Sequence, residues 1–184
     1  MSLYYLFKVN GHFSDSAPIN FSNGVHLPID KKSEAVENSE LIRASVIEKV
    51  ASFIEWPTLN QAQFSLCTFE NTPLLPALKA YYANSFFKQK PIKLVTPQTV
   101  QALSGCQIIY LGVSETQGLD TILQQIKDQP ILIISEKKDA VSLGAHVDFF
   151  VEDNRLRLEI NRTALAKSRL KASYHLLGVA RIVD

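Results

Sequence analysis

The sequence predicts an α/β domain of three layers: a mostly parallel central sheet flanked by helices on both faces, completed by a C-terminal hairpin and a closing helix. Residues 107–113 (Q-I-I-Y-L-G-V) and 130–134 (P-I-L-I-I) are near-continuous apolar runs of strand length, the pattern of strands buried on both faces. Strand-like and helix-like stretches alternate around them at the short intervals of β-α-β crossovers. Near the end, Glu152-Asp153-Asn154 lies between two further strand-like runs, which reads as a hairpin.

Residues 1–38 stand apart from this pattern. Gly11, Pro18, Gly24 and Pro28 punctuate weak apolar stretches, so 19–29 reads as an extended or hairpin arm and 31–38 as a polar linker. They form an N-terminal tail or arm, and residues 39–184 the domain. Ser39 is an N-cap candidate with Glu40 well placed in the first turn. Ile42, Val46, Ile47, Val50, Phe53 and Ile54 follow at helical spacing, and Pro57 stops that helix at Trp56. A strand over 63–69, a helix over 73–83, a strand over 91–95 and a helical turn over 97–103 come next. The strand at 107–113, an amphipathic helix over 119–127 and the strand at 130–134 complete a Rossmann-like order. The hairpin strands are 147–151 and 155–160, followed by helical pieces at 163–166 and 173–181.

With 46% apolar residues, the 184-residue chain can build one sizeable core. Its net charge is +1 and no basic stripe stands out, which argues against a nucleic-acid partner and against charge-driven membrane binding. No apolar run approaches the roughly 20 residues that span a bilayer. The start lacks a basic n-region, and its apolar stretch breaks at Lys8. Either the protein is cytoplasmic, or a leader was removed and Met1-Ser2-Leu3 is the scar.

Few residues suggest chemistry. The seven glycines form neither GxGxxG nor GxxxxGK[ST], and no GxSxG elbow is present. The segment Ser114-Glu115-Thr116-Gln117-Gly118 reads as a turn. His12, His26, His146 and His175 show no metal-binding spacing, and His175 falls in the apolar pattern of the last helix, as a core or interface histidine would. Cys67 and Cys106 read on their own as two buried apolar thiols, with no CxxC pair for zinc or thioredoxin-like chemistry. No metal, cofactor or catalytic residue is expected. The best polar candidate is Glu159-Ile160-Asn161-Arg162, where a strand gives way to a helix that Asn161 is suited to cap. A plain cap with solvated charges is the bland alternative. Asn161-Arg162-Thr163 also matches the N-glycosylation pattern, which is frequent by chance. Trp56 reads as helix-end packing first and as a ligand or partner anchor second.

Several of these stretches, in order, resemble the YfiR-like periplasmic regulators. Residues 47–57 (I-E-K-V-A-S-F-I-E-W-P) are similar to that family's opening helix, which ends in Trp-Pro. Phe64-Ser65-Leu66-Cys67 resembles its first strand, and Gly105-Cys106-Gln107-Ile108 its "GC" lead into a buried strand. Pro130-Ile131-Leu132 resembles the next strand, Leu158-Glu159-Ile160-Asn161 its F-x-I-N segment, and 170–179 its closing helix. The likeness covers 39–184, with Leu158 in place of the common aromatic and no counterpart for 1–38.

The resemblance implies export to the periplasm with a signal peptide already removed, and it pairs Cys67 with Cys106 in a disulfide. It further implies a non-catalytic homodimer that binds and controls an inner-membrane signalling protein, such as a diguanylate cyclase in cyclic-di-GMP and biofilm signalling, with redox or ligand sensing. The alternative is a periplasmic small-molecule binder without a cyclase partner, with a pocket near Glu159, Asn161 and Lys171. Arg162 and Trp56 join these as candidate contacts.

Overall fold

A computed structural model describes residues 31–57, 61–152 and 155–184, with backbone alone for 31–38, 116 and 117. Along the chain run α1 (Lys31–Ser52), β1 (Ile54–Glu55), β2 (Phe64–Cys67), α2 (Leu75–Tyr82), β3 (Phe86–Phe87) and β4 (Lys90–Val95). Then come β5 (Ile108–Leu111), α3 (Leu119–Gln125), β6 (Leu132–Ser135), β7 (Val147–Glu152) and β8 (Arg155–Asn161). The chain ends with α4 (Arg162–Lys167), β9 (Lys171–Ala172), α5 (Tyr174–Leu177) and β10 (Arg181–Val183).

Eight strands form one sheet in the order β10-β8-β7-β6-β5-β2-β4-β3. The pairings β4-β2-β5-β6-β7 are parallel, β7–β8 and β3–β4 are antiparallel, and β10 lies parallel to β8. The fold is therefore the mostly parallel three-layer sheet that the buried runs predict.

Alternation along the strands sorts the core into two layers. Ile108 and Tyr110 of β5, with Leu132 and Ile134 of β6, pack against Ala44, Ile47 and Ala51 of α1 and Leu78 of α2. Ile109, Leu111 and Ile133 face the other way, against Leu119 and Ile122 of α3 and Leu103 of the 3-10 turn Val100–Gly105. All four residues of β5 and of β6 are buried, which is why these strands lack polar alternation.

Three boundaries differ from expectation. Residues 31–38 belong to α1 rather than to a linker, and Ser39 lies inside the helix instead of capping it. Lys, Glu and Ala dominate that stretch, and their helix propensity extends the helix where no apolar pattern marks it. Secondly, α1 stops at Ser52, so Ile54 reaches the core from β1, and Ile42 lies 59% exposed on the outer side. Thirdly, the closing helix is a single turn, Tyr174–Leu177, and Arg181–Val183 pairs with β8 as an edge strand. The expected arm at 19–29 and the turn residues Asp153 and Asn154 lie outside the described residues.

Candidate functional site

Parallel pairing of β2 with β5 sets Leu66 against Ile108 and Cys67 against Ile109. The 3-10 turn Val100–Gly105 ends with Cys106 N–H donating to the Leu103 carbonyl at 3.0 Å, which delivers Cys106 beside the end of β2. Cys67 and Cys106 form a disulfide, with Cα atoms 5.9 Å apart, inside the ordinary span of such a bridge. Both are almost fully buried, so the bridge is part of the α3-side core.

The five other candidate residues fall in three places. Trp56 and Lys171 share a groove of about 480 Å³ lined also by Glu55, Pro57, Ala166 and Leu170. The antiparallel β1–β9 ladder makes that groove, setting Glu55 opposite Lys171 and Ile54 opposite Ala172. The Trp56 ring stands edge-on to Phe64 at 5.4 Å and to Phe87 at 5.9 Å, with the Lys88 ammonium 5.3 Å from its centre. Its Nε1 hydrogen is buried with no acceptor. Packing and an unused donor therefore coexist in one side chain.

Asn161 lies at a second cavity of about 440 Å³, with His146, Thr163, Lys167 and Asp184. Its Oδ1 accepts from Ala164 N–H at 2.7 Å, capping α4, and its Nδ2 donates to the Val141 carbonyl at 2.9 Å. Both ends of the amide are thus committed to the fold. Arg162 is exposed and forms a two-point pair with Asp184 at 2.8 and 3.2 Å. Glu159 lies in a third place, 1% exposed and paired with Arg181, beside a cavity of about 220 Å³ near Arg157 and Phe150. It is not a solvated surface charge, and it does not share a pocket with Asn161 or Lys171.

The sequence model of the YfiR/HmsC-like family matches residues 40–181. This chain belongs to the YfiR/HmsC-like family. Among solved structures it is similar to a conserved domain protein from Vibrio cholerae O1 biovar El Tor, with TM-score 0.54, 13% identity and 79% of this chain covered. It is also similar to an ABC domain in complex with L-Trp from Streptococcus pneumoniae, with TM-score 0.56, 8% identity and 78% coverage. At such identities the likeness concerns the fold, and this chain spans 60% of the length of each.

Two buried polar residues of this YfiR/HmsC-like domain escape sequence reasoning. His146 is 2% exposed; its Nδ1 accepts from Ile133 N–H at 2.8 Å and its Nε2 lies 2.9 Å from Ser168 Oγ. Burial pushes its pKa down to about 4, and a proton on Nδ1 would face the Ile133 donor. It is a neutral core histidine that ties β6 to the end of α4. His175, expected in the core or at an interface, is not in the core: it is exposed, 6.2 Å from the Phe53 ring.

Asp148 is fully buried on β7, and burial is the main cause that pushes its pKa up to about 7, with the Glu159 charge adding to it. Its sequence signal is a lone acid inside the apolar run V-D-F-F-V. At the carboxyl ends of β5 and β6, the Arg43 guanidinium makes a two-point pair with Glu136, fastening α1 over the sheet. The same neighbourhood holds the buried Tyr110 hydroxyl, whose pKa is raised chiefly by burial.

Proposed function

We propose that this chain is a periplasmic, non-catalytic regulator that binds and controls an inner-membrane signalling protein, with a diguanylate cyclase as the first partner to test. The observation that carries the reading is the buried Cys67–Cys106 disulfide inside the family-matched core. Structural disulfides belong to oxidising compartments, and the periplasm is one. The protein acts as a homodimer, with its signal peptide removed, by favouring one state of the partner over another. Family membership supports the partner class.

The test expresses the chain in the periplasm beside the cyclase and measures cellular cyclic-di-GMP and binding to the cyclase's periplasmic domain. A fall in cyclic-di-GMP together with saturable binding by the oxidised protein supports the reading. Unchanged cyclic-di-GMP with no binding overturns it.

A second reading rests on the apolar-walled groove that Trp56 shares with Lys171. A flat apolar acid suits such a groove: its ring packs among the apolar walls while its carboxylate pairs with Lys171. Trp56 is the sole tryptophan, so its fluorescence reports directly. Saturable quenching by benzoate, lost in Lys171→Ala, supports a small-ligand site. A flat titration removes it.

A further inference from the structure

The antiparallel register of β7 with β8 sets Asp148 opposite Glu159, and the parallel register of β8 with β10 sets Glu159 beside Arg181. Their side chains form a row across three strands, on the face covered by the 3-10 turn Ala140–Leu143. Asp148 is 0% exposed and Glu159 1%. Asp148 Oδ2 accepts from Val141 N–H at 2.9 Å, and Glu159 Oε1 accepts from Arg181. Asp148 Oδ1 and Glu159 Oε2 are buried with no partner.

Only one guanidinium, that of Arg181, bonds the two buried carboxylates; Arg157 lines the same cavity with its Nε unpartnered, and two acceptor oxygens stay unanswered. Such an arrangement is strongly unfavourable in a low-dielectric setting unless something donates. Opposite residues of an antiparallel pair bring their Cβ atoms to about 5 Å, so carboxyl groups on them can touch. A single proton held between the two free oxygens satisfies both.

We propose that Asp148 and Glu159 share one proton, and that this proton latches the β7–β8 hairpin to the C-terminal edge strand β10 through Arg181. The charged groups around the pair agree with that assignment. Asp139, before the covering turn, adds negative charge, while the backbone N–H groups of Ala140 and Val141 and the Arg181 guanidinium oppose it. Farther along the same face, Lys138 bonds Glu152 at 2.8 Å, while Arg157 Nε stands 3.8 Å from Glu152 without a hydrogen-bond partner. The Asp148 carboxyl, raised to about 7, holds a proton where an ordinary aspartate has lost it. Above that pH the row carries a second buried negative charge. Relief comes most easily at β10, which has three residues and a solvent-facing Arg181. The latch gives the regulator a proton input. Its use in signalling rests on the proposed function, whereas the shared proton does not.

The first test is carboxyl NMR on the whole protein between pH 4 and pH 9. The Asp148 carboxyl titrates with a midpoint near 7 rather than near 4, and the Glu159 carboxyl signal responds to that same step. Hydrogen exchange at Arg181–Val183, corrected for intrinsic rate, is read in parallel. Between about pH 4 and the midpoint protection falls, by up to about tenfold per pH unit, and it levels off above the midpoint. Asp148→Asn supplies a permanent donor to Glu159 Oε2 and makes that protection independent of pH; Glu159→Gln is the second variant should the first fail to fold. Both carboxyls titrating below pH 5, or an unchanged pH dependence in the variants, overturns the latch. A titrating latch in a protein that binds no cyclase overturns the regulatory reading and leaves the shared proton standing.

Discussion

Reducing the Cys67–Cys106 bridge removes a constraint on the unfolded chain. The cysteines are 39 residues apart, and closing a loop of that length lowers the unfolded state's entropy enough to contribute about 4 kcal/mol. That corresponds to about a thousandfold in the unfolding equilibrium, a large share of the roughly 5–15 kcal/mol typical of a domain. Nothing else compensates in the reduced state, because two buried thiols replace two buried bridged sulfurs with similar packing. The assay is urea unfolding of exported protein with and without a phosphine reductant, with free thiols trapped by alkylation and counted by intact mass. Oxidised protein should resist labelling, and reduction should lower the urea midpoint and steepen the slope, because the unfolded chain without the bridge exposes more surface. Equal midpoints in the two states would refute the argument from loop closure. Immediate labelling of both cysteines in folded, exported protein would remove the bridge itself, and with it the chemical support for an oxidising compartment.

His146 and Asp148 should oppose one another in the pH dependence of stability. The lowered His146 pKa contributes stability that is full above pH 6.5 and lost as pH falls towards 4, up to about 3 kcal/mol. The raised Asp148 pKa contributes stability that is full below about pH 4 and lost as pH rises through about 7. Urea midpoints should therefore vary little between pH 4 and 6.5 in the native sequence and fall steeply on acidification in Asp148→Asn; parallel profiles would refute the opposition. Gly144→Ala should destabilise by about 1–3 kcal/mol, since Gly144 has φ +109° and an added Cβ would lie 2.7 Å from Leu123 Cδ1. Thermal unfolding checks it, and an unchanged Tm would contradict the strained backbone.

The central sheet is legible in the sequence because β5 and β6 are buried on both faces and need no alternation to be seen. The start of α1 is illegible for the converse reason: Lys31 to Asn38 carry propensity without an apolar stripe, so nothing but helix preference marks them. Likewise β10 has three residues, and its pairing with β8 is a long-range choice that local pattern does not encode. At the candidate sites, Asn161 as an α4 cap follows from its residue type and place. The separation of Glu159 from Asn161 does not, although they are two residues apart. Both point to the same sheet face, but strand rise carries Glu159 towards Arg181 and Asn161 to the mouth of α4. Burial decided the rest. Asp148 stands out in the sequence only as a lone acid in an apolar run, and its partner, Val141 N–H of the turn Ala140–Leu143, comes from tertiary structure.

The two candidate inputs meet on one stretch of chain. Glu159 and Arg181 hold the proton latch, and Lys171, between them in sequence, forms the Trp56 groove through the β1–β9 ladder. Ser173 N–H donates to the Phe53 carbonyl at 2.8 Å, so the same stretch is fastened to the end of α1. A change that loosens β10 therefore pulls on the segment that walls the groove. If both places share this two-state segment, their effects are coupled, and the coupling is reciprocal. The consequence is measurable with one fluorophore. Benzoate binding followed through Trp56 should weaken about fivefold or more from pH 6 to pH 8.5 in the native sequence, where the latch opens. In Asp148→Asn, whose latch stays closed, it should keep its low-pH value. Benzoate binding of the same strength at both pH values, in a protein whose Arg181–Val183 amides do lose protection, would show that the groove and the latch are separate devices. The C-terminal stretch would then be a scaffold for two sites rather than the element that joins them.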